Sequence, residues 1–146
     1  MTEEDGNDRR WALLFARLVL GLIFFVAGFW KVFSLGALVH ARELFVEPYA
    51  QTFLPRWALW ATGVTIPWVE FAAGALLLVG WRTRLALLAL GWVLVLVTFG
   101  HLVREPLYEF HTHVIPRLAL LLFLLMTPRS LDAWTLDAWL LRRRTV

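Results

Sequence analysis

The chain has 146 residues, 60% of them hydrophobic, with a mean hydropathy of +0.69. Four long apolar runs in so short a chain exclude a soluble domain and place it among polytopic membrane proteins in a single domain. The net charge of +3 sits at the ends of those runs and not along a phosphate-binding stripe, which excludes a nucleic-acid surface. The absence of cysteine excludes thiol exchange, disulfides and Cys-ligated zinc or iron–sulfur clusters within this chain.

Residues 1–10 form a polar N-terminal tail in which the acidic TEED gives way to Arg9 and Arg10. Trp11 to Phe33 then supplies a run long enough, at about 1.5 Å per residue, to cross a hydrocarbon core of roughly 30 Å. Arg17 lies inside it, where a cation costs about 2.5 to 3.5 kcal/mol on insertion scales and must face protein, a cavity or the headgroups. Steps of three and four from Arg17 reach Gly21, Phe24, Gly28 and Lys31, so both cations and both glycines share one helix face. Small residues there let a second helix approach closely.

Ser34 to Arg56 is a mixed connection in which Pro48 and Pro55 break helices, and a short interfacial helix is predicted to end near Glu47. The second span runs from about Trp57 to Gly80. Pro67 is expected to kink it and free a backbone carbonyl, and Glu70 shares a face with Gly63, Pro67, Gly74 and Leu77. The turn Trp81 to Arg84 leads to a third span, Leu85 to about Val103. The fourth apolar run, Val114 to Met126, is short, so either its helix begins near Leu107 or the membrane is locally thin. Leu131, Trp134, Leu136, Trp139 and Leu140 alternate with Asp132, Asp137 and three terminal arginines, the pattern of an amphipathic helix on the membrane surface.

The predicted fold is therefore all-α: a four-helix transmembrane bundle over residues 11–130, an interfacial segment in its first outer loop, and an amphipathic C-terminal helix over 131–146. Arg9, Arg10, Arg82, Arg84, Arg129, Arg142, Arg143 and Arg144 fall on one side, against Lys31, Arg42, Arg56 and Arg104 on the other. That bias places both termini in the cytoplasm and the chain in the bacterial inner (plasma) membrane.

Two polar groupings follow. Arg17 is about 9 Å and Glu70 about 15 Å from the same membrane face on antiparallel helices, which predicts an Arg17–Glu70 ion pair. It would either fix helix register, or line a proton path or meet a quinone carbonyl. At the outer face Lys31, His101, Glu105, Glu109, His111, His113 and Arg117 are expected to gather. His101, His111 and His113 are the candidate metal ligands, and His101 with His113 the candidate haem pair. No metal-site spacing is matched, so neither haem nor metal is assigned, and a hydrogen-bonded polar cap, a quinone site and a partner-protein site are the other readings.

The run RLVLGLIFFVAGFWKVF, the long loop ending in proline and WVEFAAGALLLVGWRTRLALLAL resemble the DoxX/DoxD-like family of small four-helix membrane proteins from Arg17 to about Val103. The resemblance implies recurrent polar positions at Arg17, Lys31 and Glu70. It also implies an accessory or small subunit of a quinone-linked membrane redox complex that is not catalytic alone. The alternative is a purely structural subunit of a larger respiratory or photosynthetic assembly, its tryptophans and tail supplying contact surface. The partners expected are the lipid bilayer and a larger membrane complex.

Overall fold

Every regular element among the described residues is helical, as a chain immersed in lipid requires if its backbone groups are to be satisfied internally. The computed structural model describes residues 3–106, 109–128 and 131–144. Leu107, where a backward extension of the fourth span was expected, and Arg129 lie outside them.

Helix α1 runs Glu3–Phe29 and continues through a π-helical turn, Trp30–Ser34. Helix α2, Ala37–Ala41, likewise passes into a π-helical turn, Arg42–Val46, so the predicted interfacial helix ends beside Glu47 as expected. Helices α3 (Arg56–Val79) and α4 (Thr83–Arg104) are joined by a short turn. Helix α5 is Val114–Met126 and α6 is Leu136–Arg144. Among the described residues three segments are long and apolar enough to cross a membrane: 5–34, 56–79 and 83–104. Helix α5, at 13 residues, covers about 20 Å and begins only at Val114.

Helices α1 and α3 form the most extensive interface, α3 packs on α4, and α5 packs on both α4 and α1. Leu13, Leu20, Phe24, Leu77, Leu90 and Leu121 fill the shared interior. A reciprocal fit of glycine against aromatic holds α1 to α3. A methyl group on Gly28 would come within 2.7 Å of Phe71 Cα, and one on Gly74 within 2.7 Å of Phe25 Cα. The rings of Phe25 and Phe71 stack between them at 5.2 Å. Both contacts give the same antiparallel register, so neither helix can slide without losing both.

Helix α2 lies against α3 by the same device: a methyl on Gly63 would reach 2.7 Å from Ala41 Cα. Gly63 is seven residues into α3, so α2 sits about 10 Å down from the start of that helix. Pro67 does not break α3. Lacking an N–H, it leaves the carbonyl four residues earlier, that of Gly63, without its helical donor.

Near the α3–α4 turn, Gly80 takes φ 72°, and Trp81 N–H and Gly80 N–H return to the carbonyls of Leu76 and Leu77. These two bonds form a Schellman cap. Substituting Gly28 by Leu should force α1 away from Phe71. Overpacking of this kind costs about 1 to 3 kcal/mol, and a glycine with open space around it, such as Gly6, should tolerate the same change. Thermal unfolding in detergent of Gly28→Leu against Gly6→Leu measures the difference.

Candidate functional site: two polar clusters at opposite ends of the helices

The α1–α3 register decides where each buried charge lands. Arg17 comes opposite the C-terminal end of α3, and Lys31 comes opposite Glu70, about 18 Å farther along the axis. The predicted Arg17–Glu70 pair is therefore not formed. Arg17 is only 2% exposed, and its Nη1 donates to the carbonyls of Leu77 at 2.7 Å and Leu78 at 3.4 Å. These belong to the last turn of α3, where carbonyls have no helical donor and the helix dipole presents negative charge. Nη2 donates to the carbonyl of Trp134 at 2.7 Å, and Nε lies 3.6 Å from Asp132 Oδ2 without a hydrogen bond.

The C-terminal segment is thus tied to the helix body through Arg17, and two further contacts hold it. Asp137 accepts from Arg82 N–H at 2.9 Å, Thr83 N–H at 3.0 Å and Thr83 Oγ1 at 3.2 Å, so it caps the start of α4 from more than fifty residues away. Asp137 N–H in turn donates to the carbonyl of Gly80 at 3.0 Å. Thr135 is buried against Gly80, where any side chain would lie 2.9 Å from Thr135 Cα. Thr135 Oγ1 accepts from Ala138 N–H and so caps α6 itself. The helix expected to lie on the membrane surface by its amphipathic pattern is held here by polar contacts internal to the chain. Trp11 and Trp134, with ring centroids 4.5 Å apart, bring the N-terminal and C-terminal segments to the same end.

At the other end Lys31 Nζ donates to Glu70 Oε2 at 2.6 Å, and the carboxylate side chain is 7% exposed against 23% for the lysine. His40, 2% exposed, donates from Nδ1 to the carbonyl of Gly63 at 2.8 Å, which is the acceptor that Pro67 leaves open. Burial pushes the His40 imidazole below its usual range, with the Lys31 charge adding to this. The Gly63 bond and the Glu70 charge act the other way.

The other residues expected at this face do not converge on Lys31. His101 Nδ1 donates to the carbonyl of Val97 at 2.7 Å, His113 pairs with Thr112 at 2.6 Å, and exposed His111 lies 4.0 Å from Glu109. Glu105 is exposed, and Arg117 turns its guanidinium to the Phe24 ring at 5.8 Å. Among the described residues no three His, Asp or Glu side chains are placed to share a metal ion, and His101, His111 and His113 are not brought together.

Sequence reasoning missed His40, Asp132, Trp134 and Asp137. His40 carried a legible signal, since Pro67 marks the open carbonyl, but nothing in the sequence says which loop residue reaches it. The carbonyl partners of Arg17 were missed because only ionised acceptors were sought, and Asp132 because its segment was read as lying on the membrane surface.

A family model described as methylamine utilisation protein MauE matches residues 9–112, more than half of the chain. The chain belongs to that family, and the DoxX/DoxD resemblance read from the sequence is thereby corrected. No curated protein and no solved structure matches it.

Two predictions follow from this geometry. Lys31→Met strands a carboxylate that cannot reach water and should cost on the order of 3 kcal/mol. Glu70→Gln should cost less, because the more exposed lysine can extend outward, and the double substitution should recover most of the Lys31→Met loss. A double-mutant cycle in unfolding free energy checks both. For His40, a depressed pKa means that its contribution to stability is complete above the ordinary value of 6.5 and lost as pH falls through the lower folded value. His40→Asn keeps a donor for Gly63 and cannot titrate there. It should flatten the acid limb of a melting-temperature profile relative to the unsubstituted chain.

Proposed function

We propose that this MauE-family chain is a membrane accessory subunit of a redox pathway, the pathway being methylamine utilisation as the family's name states. In this reading it holds a larger assembly at the membrane and performs no electron transfer alone. The observation that carries it is that the two most deeply buried charges of the spans, Arg17 and Glu70, find their main partners within the chain. Arg17 is occupied by helix-end carbonyls and Glu70 by Lys31, which leaves these charges the work of fixing the fold. The surface offered to a partner has two parts: exposed Glu105, Glu109, His111 and His113 at the rim after α4, and exposed Trp57, Trp68 and Trp92 along the outer sides of α3 and α4.

In this proposal α5 closes a four-helix bundle between α4 and α1 as a short fourth span, which the local membrane meets by thinning. Both termini lie in the cytoplasm, on the side where Arg9, Arg10, Arg82, Arg84 and Arg143 collect, and the rim after α4 faces outward from the inner membrane. The quinone expected from the sequence is not carried forward, since the Arg17–Glu70 pair and the family resemblance that suggested it both fall away.

Deletion of the chain in a host that grows on methylamine tests the proposal. The expected result is loss of growth on methylamine with a severalfold fall in the level of assembled partner enzyme, while each surviving partner molecule keeps its activity. An unchanged partner level, or turnover by the purified chain alone, would contradict it.

A further inference from the structure

A cavity of about 820 Å³ opens at the end of the molecule that carries both termini, between the last turn of α3, the start of α4, the end of α5 and the C-terminal segment. Its floor is charged. Arg17, Arg82 and Arg84 line it together with Asp132 and Asp137. Its wall is apolar, formed by Leu13, Leu77, Leu87 and Leu124 among others.

The two carboxylates do not cancel the three guanidinium groups. Asp137 is spent on the N-terminus of α4, whose dipole adds positive charge of its own. Asp132 stays 3.6 Å from Arg17 Nε without a hydrogen bond, so it offsets that one guanidinium and leaves Arg82 and Arg84 without a carboxylate of their own in the cavity. Arg84 uses Nη2 on the Thr127 carbonyl at 3.2 Å, which leaves its other donors to the cavity, and Arg82 is exposed at the rim. Arg17 adds the second pointer to a ligand, since its Nε is a buried donor with no acceptor.

We propose that this cavity binds an amphiphile with a phosphate head, an acidic phospholipid of the surrounding leaflet. The phosphate lies on the Arg84 and Arg82 side, and one acyl chain follows the leucine wall. Basic pockets between helices at the cytoplasmic face are suited to this, because each arginine near the surface adds attraction for an anionic head. A bidentate guanidinium–phosphate contact is open to either kind of head, and the preference for an acidic lipid comes from the trimethylammonium charge that a choline head would bring beside the arginines. Bound there, the lipid bridges the α3–α4 turn and the C-terminal segment, and so adds to the grip that Asp137 already provides.

Native mass spectrometry of the detergent-purified chain tests this, with dioctanoyl phosphatidylglycerol, dioctanoyl phosphatidylcholine and inorganic phosphate as separate probes. The glycerol lipid should saturate one site at about tenfold lower concentration than the choline lipid, in line with one to two arginine contacts. Inorganic phosphate should not compete at equal concentration. Arg84→Gln should remove the preference. Ala133→Trp, which fills the cavity without removing a charge, should remove it too, whereas Arg56→Gln at the opposite end should not. Equal retention of the two lipids, displacement by inorganic phosphate alone, or a preference that survives both cavity variants would each overturn the assignment.

Discussion

The reciprocal seating of Phe25 on Gly74 and Phe71 on Gly28 is the constraint on which the rest of the molecule depends. Lipid offers no hydrophobic drive for helices to associate, so close backbone approach and buried polar contacts must hold α1 to α3. Each helix offers one glycine to a phenylalanine of the other, and only one antiparallel register satisfies both contacts. That register carries Arg17 to the last carbonyls of α3 and Lys31 to the carboxylate of Glu70. The charges then lock what the glycines align.

The two ends of the helices solve the same problem differently. At one end a helix terminus, with its orphan carbonyls and negative dipole end, receives a guanidinium, and a carboxylate from the C-terminal segment receives the N–H groups of the next helix. At the other, a proline within a helix opens one carbonyl, and an imidazole from a short loop helix closes it. Both solutions bring a distant part of the chain onto α3 or its turn. The C-terminal segment and the first loop are therefore parts of the folded body, which suits a subunit that presents a fixed surface to a partner.

Much of this was legible in the residues. Apolar run lengths gave the spans, the Arg17, Gly21, Gly28 and Lys31 spacing gave the face of α1 that meets α3, and Pro67 announced an open carbonyl. The pairing of charges was not legible, because it depends on register. Depth measured from the predicted ends of two helices brings Arg17 and Glu70 within reach, whereas the Gly–Phe contacts move them about 18 Å apart along the axis. The role of Asp137 was equally hidden. A carboxylate in the first turn of a terminal helix reads as a cap for that helix, and only the fold shows that it caps α4 instead. The apolar segments also drew the resemblance to a different membrane family from the one to which the chain belongs.

The absence of cysteine from the natural chain makes the central claim directly measurable. Paired substitutions Lys31→Cys with Glu70→Cys, and Arg17→Cys with Glu70→Cys, can be treated in native membranes with a thiol-reactive cross-linker no longer than a lysine and a glutamate side chain joined end to end, and the internal cross-link followed by gel mobility. A cross-link in the first pair and none in the second is the result expected of this register. A cross-link between positions 17 and 70, with none between 31 and 70, would contradict it.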